Sequence, residues 1–93
     1  MNIFLRLFTL FLRAFNSKRL RTILGTMVIS VTFFGFVFYV TEPQVKTIGD
    51  GMWWALVTIT TVGYGDITPL TTTGRFVASA LMFVGLGLVA SLT

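Results

Sequence analysis

Two stretches without a charged side chain constrain this chain more than any other feature. Thr22–Thr41 carries no Asp, Glu, Lys or Arg over twenty consecutive residues, and Phe76–Thr93 carries none over eighteen. As a helix, at about 1.5 Å per residue, either run covers roughly the 30 Å hydrocarbon core of a bilayer. A single charge at mid-bilayer costs on the order of 3 kcal/mol, so gaps of this length carry information. They predict two transmembrane helices. A small soluble bundle fails on burial. A chain this short hides only about 60% of the surface its unfolded form exposes, too little for a sequence that is 55% hydrophobic. A secretory leader is also disfavoured, because Arg6 and Arg13 break the first apolar run and no Ala-x-Ala-like cleavage site follows.

The polar residues exclude most chemistry. Cysteine and histidine are both absent, which removes disulfides, thiolates and the usual transition-metal ligands. Glu42, Asp50 and Asp66 are the only acids, and they form no acid–base pair with each other in sequence. An enzyme is not expected. The net charge of +4 does not point to nucleic acid, because the positive residues are clustered. Arg6, Arg13, Lys18, Arg19 and Arg21 all precede the first span, while Lys46 and Arg75 share the connecting segment with the three acids. Cytoplasmic flanks carry the excess of Lys and Arg, so both termini are expected in the cytoplasm of a multi-pass cell-membrane protein.

Residues 1–17 read as an interfacial amphipathic helix. Arg6, Thr9, Arg13 and Asn16 recur at steps of three and four on one polar stripe, with Ile3, Phe4, Leu7, Phe8, Phe11 and Phe15 around the rest. Such a helix lies in the headgroup layer with its basic stripe toward anionic lipid. A voltage sensor would need arginines at regular steps inside a span, and Thr22–Thr41 has none. The outer helix is expected over 20–41, ended by Glu42-Pro43, and a polar turret over 42–50. Met52–Val62 is charge-free but only eleven residues long, too short to span. Asp50 is the expected N-cap of a helix over 51–61. Glycines break that helix at membrane depth, so it must be re-entrant. Irregular backbone survives there only inside protein or along a watery path, which implies a pore or cavity. Thr71-Thr72-Thr73-Gly74 then leads into an inner helix over 72–93, with a threonine able to cap it.

Thr60-Thr61-Val62-Gly63-Tyr64-Gly65-Asp66 resembles the potassium-channel signature, and the span–loop–span order over about Leu20–Thr93 resembles the two-transmembrane-helix bacterial potassium channel pore family. The resemblance implies an all-α membrane protein whose outer helix, re-entrant pore helix, selectivity filter (61–66) and inner helix build a tetrameric pore from this chain and three copies of itself. The ion-binding residues would be Thr61, Val62, Gly63, Tyr64 and Gly65, and the permeant ion K+. Physically, a potassium ion that sheds its water needs successive carbonyls, and the Thr61 hydroxyl, aimed at one axis. That requires alternating backbone handedness, which Gly63 and Gly65 enter without a Cβ penalty. Val62 and Tyr64 would then pack behind the filter. The negative end of the pore-helix dipole would favour a cation in the central cavity.

The same resemblance assigns filter support to Trp53, Trp54 and Asp66, pairing the second indole, Trp54, with Asp66. It assigns a gating hinge to Gly85, for which close helix packing is the alternative, and cavity lining to Leu86, Val89 and Thr93. Val57 departs from members that carry a glutamate there, which puts in doubt any filter inactivation linked to that residue. A non-selective cation channel would lose Tyr64 or the register of Gly65. A transporter of four fused repeats would not carry a complete signature in one short chain, and a non-conducting assembly subunit would not need a glycine filter. The chain therefore reads as a pore domain, naturally minimal or cut from a longer channel whose cytoplasmic regulatory domain is absent here.

Overall fold

The computed structural model describes residues 2–92. Its helices are α1 (Ile3–Phe15), α2 (Lys18–Thr41), α3 (Ile48–Ile59) and α4 (Thr72–Leu92), and none of the described residues is in a strand. α2 and α4 are both long and apolar enough to cross a membrane, and α3 is not.

Each helix starts where a side chain satisfies its free amides. Asn2 Oδ1 accepts from the Phe4 amide at 2.8 Å, and Ser17 caps α2 through the Leu20 amide at 3.5 Å. Within α2, the hydroxyls of Thr22, Thr26, Thr32 and Thr41 donate to carbonyls one turn back, at 2.8–2.9 Å. An apolar medium offers these hydroxyls no other partner, and the internal bonds let threonine sit in a span. α2 ends at Glu42, which leaves helical geometry just before Pro43.

The cap of α3 differs from the sequence expectation. Thr47 is the N-cap: its backbone is extended and its hydroxyl oxygen accepts from the Asp50 amide at 3.1 Å. Asp50 lies inside the first turn instead, where its charge still faces the positive end of the helix dipole. The connecting turn is correspondingly shorter than the 42–50 segment expected, since α3 begins at Ile48. At the start of α4, the Thr71 hydroxyl accepts from the Gly74 amide at 2.9 Å, so one of the threonines does cap that helix.

α3 is wedged against both α2 and α4. Of its five buried residues, Gly51, Trp54, Ala55 and Ile59 follow helical spacing, and Val57 is the fifth. Trp54, Ala55 and Ile59 join Phe38, Val45, Ala78 and Leu81 in one core. Two glycines set how deep the wedge goes. A Cβ at Gly35 would fall 3.0 Å from the Met52 Cα and 3.1 Å from the Gly51 carbonyl oxygen. α2 and α3 thus meet backbone to backbone, as small residues allow in membrane helices. α1 touches only α2 and buries none of its residues, leaving its aromatic and basic faces open.

Candidate ion pathway

The pore helix terminates at Thr60, and the next residues reverse handedness at every second position. Thr61, Gly63 and Gly65 have φ of 65°, 60° and 77°, while Val62 and Tyr64 stay out of the positive region. Alternation of this kind turns successive peptide N–H groups to one side of the chain. The hydrogen bonds identify that side. The Thr61 amide donates to the Thr58 carbonyl at 3.1 Å, and the amides of Val62 and Gly63 both donate to the Val57 carbonyl, at 3.1 and 3.2 Å. Every peptide bond among the described residues is trans, so each carbonyl points opposite to the amide in its own plane. The Thr61 and Val62 carbonyls therefore face away from the pore helix, toward open space. Gly63 and Gly65 were expected in this role. Thr61 was not expected to be left-handed, since a β-branched residue at positive φ is an outlier and only its hydroxyl had been assigned.

The faces of the segment are unfinished in a single chain. Val62 is 55% and Tyr64 68% exposed, so neither is packed behind a filter by its own chain alone. Tyr64 has one partner ring, Trp53, stacked parallel to it with centroids 6.0 Å apart. The Trp53 indole N–H donates to Asp66 Oδ2 at 2.8 Å.

That bond corrects the assignment of Trp54 to Asp66. Trp54 is 4% exposed and stacks on Phe38 of α2, with ring centroids 3.6 Å apart. Consecutive helical residues point about 100° apart, so only one of the two indoles can face the filter. Gly51, Trp54 and Ala55 share the buried stripe of α3, and Trp53 lies off it. The pairing predicts that Trp53→Phe and Asp66→Asn each lower the thermal stability of the assembled protein, and that the double variant loses less than the sum. Trp54→Phe should act independently of Asp66→Asn. Additive effects for Trp53 and Asp66 would contradict the pairing.

Glu42 has a place that sequence reasoning missed, having read it as part of the outer-helix stop and the turret. It is buried, and its carboxylate accepts from the Thr71 hydroxyl at 2.5 Å, the Thr71 amide at 2.9 Å, and the Leu70 amide and Gln44 Nε2 at 3.2 Å. Gln44 Nε2 also donates to the Thr68 carbonyl. Glu42 thus ties the end of α2 to the start of α4 and to the strand of chain leaving the filter. A side chain at Gly74 would strike this carboxylate. Burial opposes the ionised form, but the bonds from Thr71, Leu70 and Gln44 outweigh it and hold the Glu42 pKa below its ordinary value.

Below the filter, Thr58, Thr61, Gly63, Met82 and Leu86 line one concavity of about 370 Å³. Leu86 is thus placed beside the inner end of the filter, and Thr58 and Met82 join it there. Val89 is exposed on α4 outside this concavity, and Thr93 lies outside the described residues. A Cβ at Gly85 would sit 2.8 Å from the Ile59 carbonyl oxygen, so α4 passes the end of the pore helix at contact distance there. Nothing approaches Gly87 in this way. Val57 is buried, and its contribution is the carbonyl that anchors two filter amides.

Two membrane-length helices around a re-entrant helix, with a loop of alternating handedness at its end, define the pore of an ion channel. The chain belongs to that family: the family model described as "Ion channel" matches residues 26–93, and the relatives place it among potassium channel pores, which are not enzymes. It is 35% identical over 78 residues to a voltage-gated potassium channel of Aeropyrum pernix, covering 78% of this chain and 26% of that protein. Against the calcium-gated potassium channel TvoK of Thermoplasma volcanium it is 31% identical over 87 residues, covering 88% and 25%. The structure resembles the pore module of a voltage-gated K+ channel crystallised in a closed state in lipid membranes. The TM-score is 0.71 and the identity 39%, covering 80% of this chain and 81% of that one. The chain spans about a quarter of the length of these two curated relatives.

Proposed function

We propose that four copies of this chain form a potassium-selective pore that conducts K+ passively across the cell membrane. The observation that carries the reading is the alternation of positive φ at Thr61, Gly63 and Gly65 with the amides of Thr61, Val62 and Gly63 bonded back to the pore helix. That geometry frees successive carbonyls on one side, which is what replaces the hydration shell of a potassium ion. One chain supplies one oxygen per ring, and the exposed Val62 and Tyr64 await cover from a neighbour. Both needs are met by four copies about an axis. Residues 20–93 act as the pore domain. Residues 1–17 lie in the cytoplasmic headgroup layer against anionic lipid, with both termini inside. The α3 dipole directs its negative end at the concavity lined by Thr58, Thr61 and Leu86 and favours a cation there, with Val89 and Thr93 continuing that wall. Gating is placed at the filter or at Gly85, where close packing on Ile59 makes any bend of α4 register at the pore helix.

Flux from liposomes tests the reading. Reconstituted protein should pass potassium and rubidium and be blocked by barium, which matches potassium in size at twice the charge. Rubidium uptake that barium leaves untouched would contradict it.

A further inference from the structure

The two halves of the 61–66 segment are held in different ways. In the inner half, the amides of Thr61, Val62 and Gly63 bond back to the carbonyls of Thr58 and Val57. The amides of Tyr64, Gly65 and Asp66 make no bond of that kind to any described residue. The outer half and the chain leaving it are held through side chains instead. Trp53 donates to Asp66 at the start of that stretch, and Glu42 accepts from the Leu70 amide at its end. Midway, the Gln44 side chain donates to the Thr68 carbonyl. The next residue, Pro69, has no amide to offer.

Gln44 fits this place by its chemistry. Its side-chain nitrogen carries two hydrogens. One goes to the Thr68 carbonyl and the other to Glu42 Oε2, at 3.2 Å. Both partners are acceptors, so the position needs a donor toward each. The turn that presents Gln44 is itself fixed: the Val45 amide bonds to the Glu42 carbonyl at 3.1 Å, and the Val45 side chain is buried in the core. Gln44 is exposed, so it fills no space in that core.

We infer that Gln44 is a positioning residue for the outer half of the ion path. It clamps the Thr68 carbonyl to the end of the outer helix, and so fixes where the Tyr64 and Gly65 carbonyls stand without touching the ion. The inference rests on the reading of residues 61–66 as the ion path. Without the clamp, the chain between Asp66 and Leu70 is free to shift, and the peptides not bonded to the pore helix shift with it.

Barium-sensitive rubidium uptake by liposomes carrying the full chain, with the same pH on both sides, tests the clamp. Gln44→Glu puts a carboxylate where a donor is needed, facing the carboxylate of Glu42. Like charges this close raise the pKa of the pair, so acid places a proton between them and restores one donated bond. The other charged groups on these elements are Lys46, Asp50, Arg75 and Asp66, the last engaged by the Trp53 indole. The unmodified protein carries the same four, so comparison with it isolates the new carboxylate. At neutral pH the Gln44→Glu flux should fall about tenfold below that of the unmodified protein, the factor of one pKa unit. At about pH 5 it should recover to within about twofold, while the unmodified protein gains nothing. Gln44→Ala has no donor at either pH and should stay low at both. Circular dichroism should match in all three proteins, because the site is exposed. Full Gln44→Glu flux at neutral pH, or flux equally low at both pH values, would overturn the clamp alone. An unmodified protein without barium-sensitive uptake would overturn the ion-path reading beneath it, and the clamp with it.

Discussion

Replacing Gly63 by alanine should abolish potassium flux while leaving the helices intact. Gly63 has φ of 60° and bonds its amide to the Val57 carbonyl at 3.2 Å, so its conformation is held from one side. No atom lies within 4 Å of where its Cβ would be. The damage within one chain is therefore conformational, not a clash. An L-residue in the left-handed region is disfavoured by about 1–2 kcal/mol, and the strain recurs in each of the four copies proposed to share the filter. Relaxing it flips the peptide, and a flipped peptide presents an N–H where a potassium ion needs a carbonyl. We expect flux to fall by roughly a hundredfold or more, the scale of a few kcal/mol summed over four chains. Circular dichroism should stay unchanged, because Gly63 belongs to no helix. Undiminished flux would mean the carbonyls of this segment do not line the ion path.

The second large effect falls on stability. Glu42→Ala removes the acceptor of four hydrogen bonds and leaves the part-buried amides of Leu70 and Thr71 without it. Bonds to a charged group contribute about 1.5–3 kcal/mol each and are not additive when they share one partner. A loss of about 3 kcal/mol per chain follows, read as a lowered melting temperature. Glu42→Gln keeps an acceptor and should fall between. The pH dependence has a definite sign. The folded-state pKa of Glu42 lies below its ordinary value of 4.5, so the tie contributes fully above that value and fades as acid carries the pH through the lowered one. The melting temperature of Glu42→Gln should lack that acid-side component. If Glu42→Ala melts with the parent protein, the carboxylate does not hold α2 to α4.

How far the sequence could be read depended on whether a feature was local. The two spans were legible because the bilayer imposes one length on any charge-free helix. The filter glycines were legible because only glycine enters the left-handed region freely. Thr61 was not: its φ of 65° is forced by the turn off the pore helix and by the bond from its own amide to Thr58, and nothing in a threonine announces that. The N-cap went to Asp50 because aspartate is a strong cap in isolation, whereas the chain reaches helical geometry three residues earlier and Thr47 takes the position. Trp53 and Trp54 are chemically identical, and only the direction of α2 and Phe38 decides which indole turns to the filter. Glu42 was least legible of all, because the amides it holds, of Leu70 and Thr71, lie twenty-eight and twenty-nine residues further along the chain.

A bi-ionic reversal potential on reconstituted protein tests the central claim most directly, with potassium on one side of a planar bilayer and sodium on the other. Carbonyls that replace the hydration of potassium, and not of sodium, predict current carried almost wholly by potassium and a large reversal potential of the sign set by its gradient. A reversal potential near zero, with sodium and potassium crossing equally, would contradict the assignment of Thr61–Gly65 as a selective ion path.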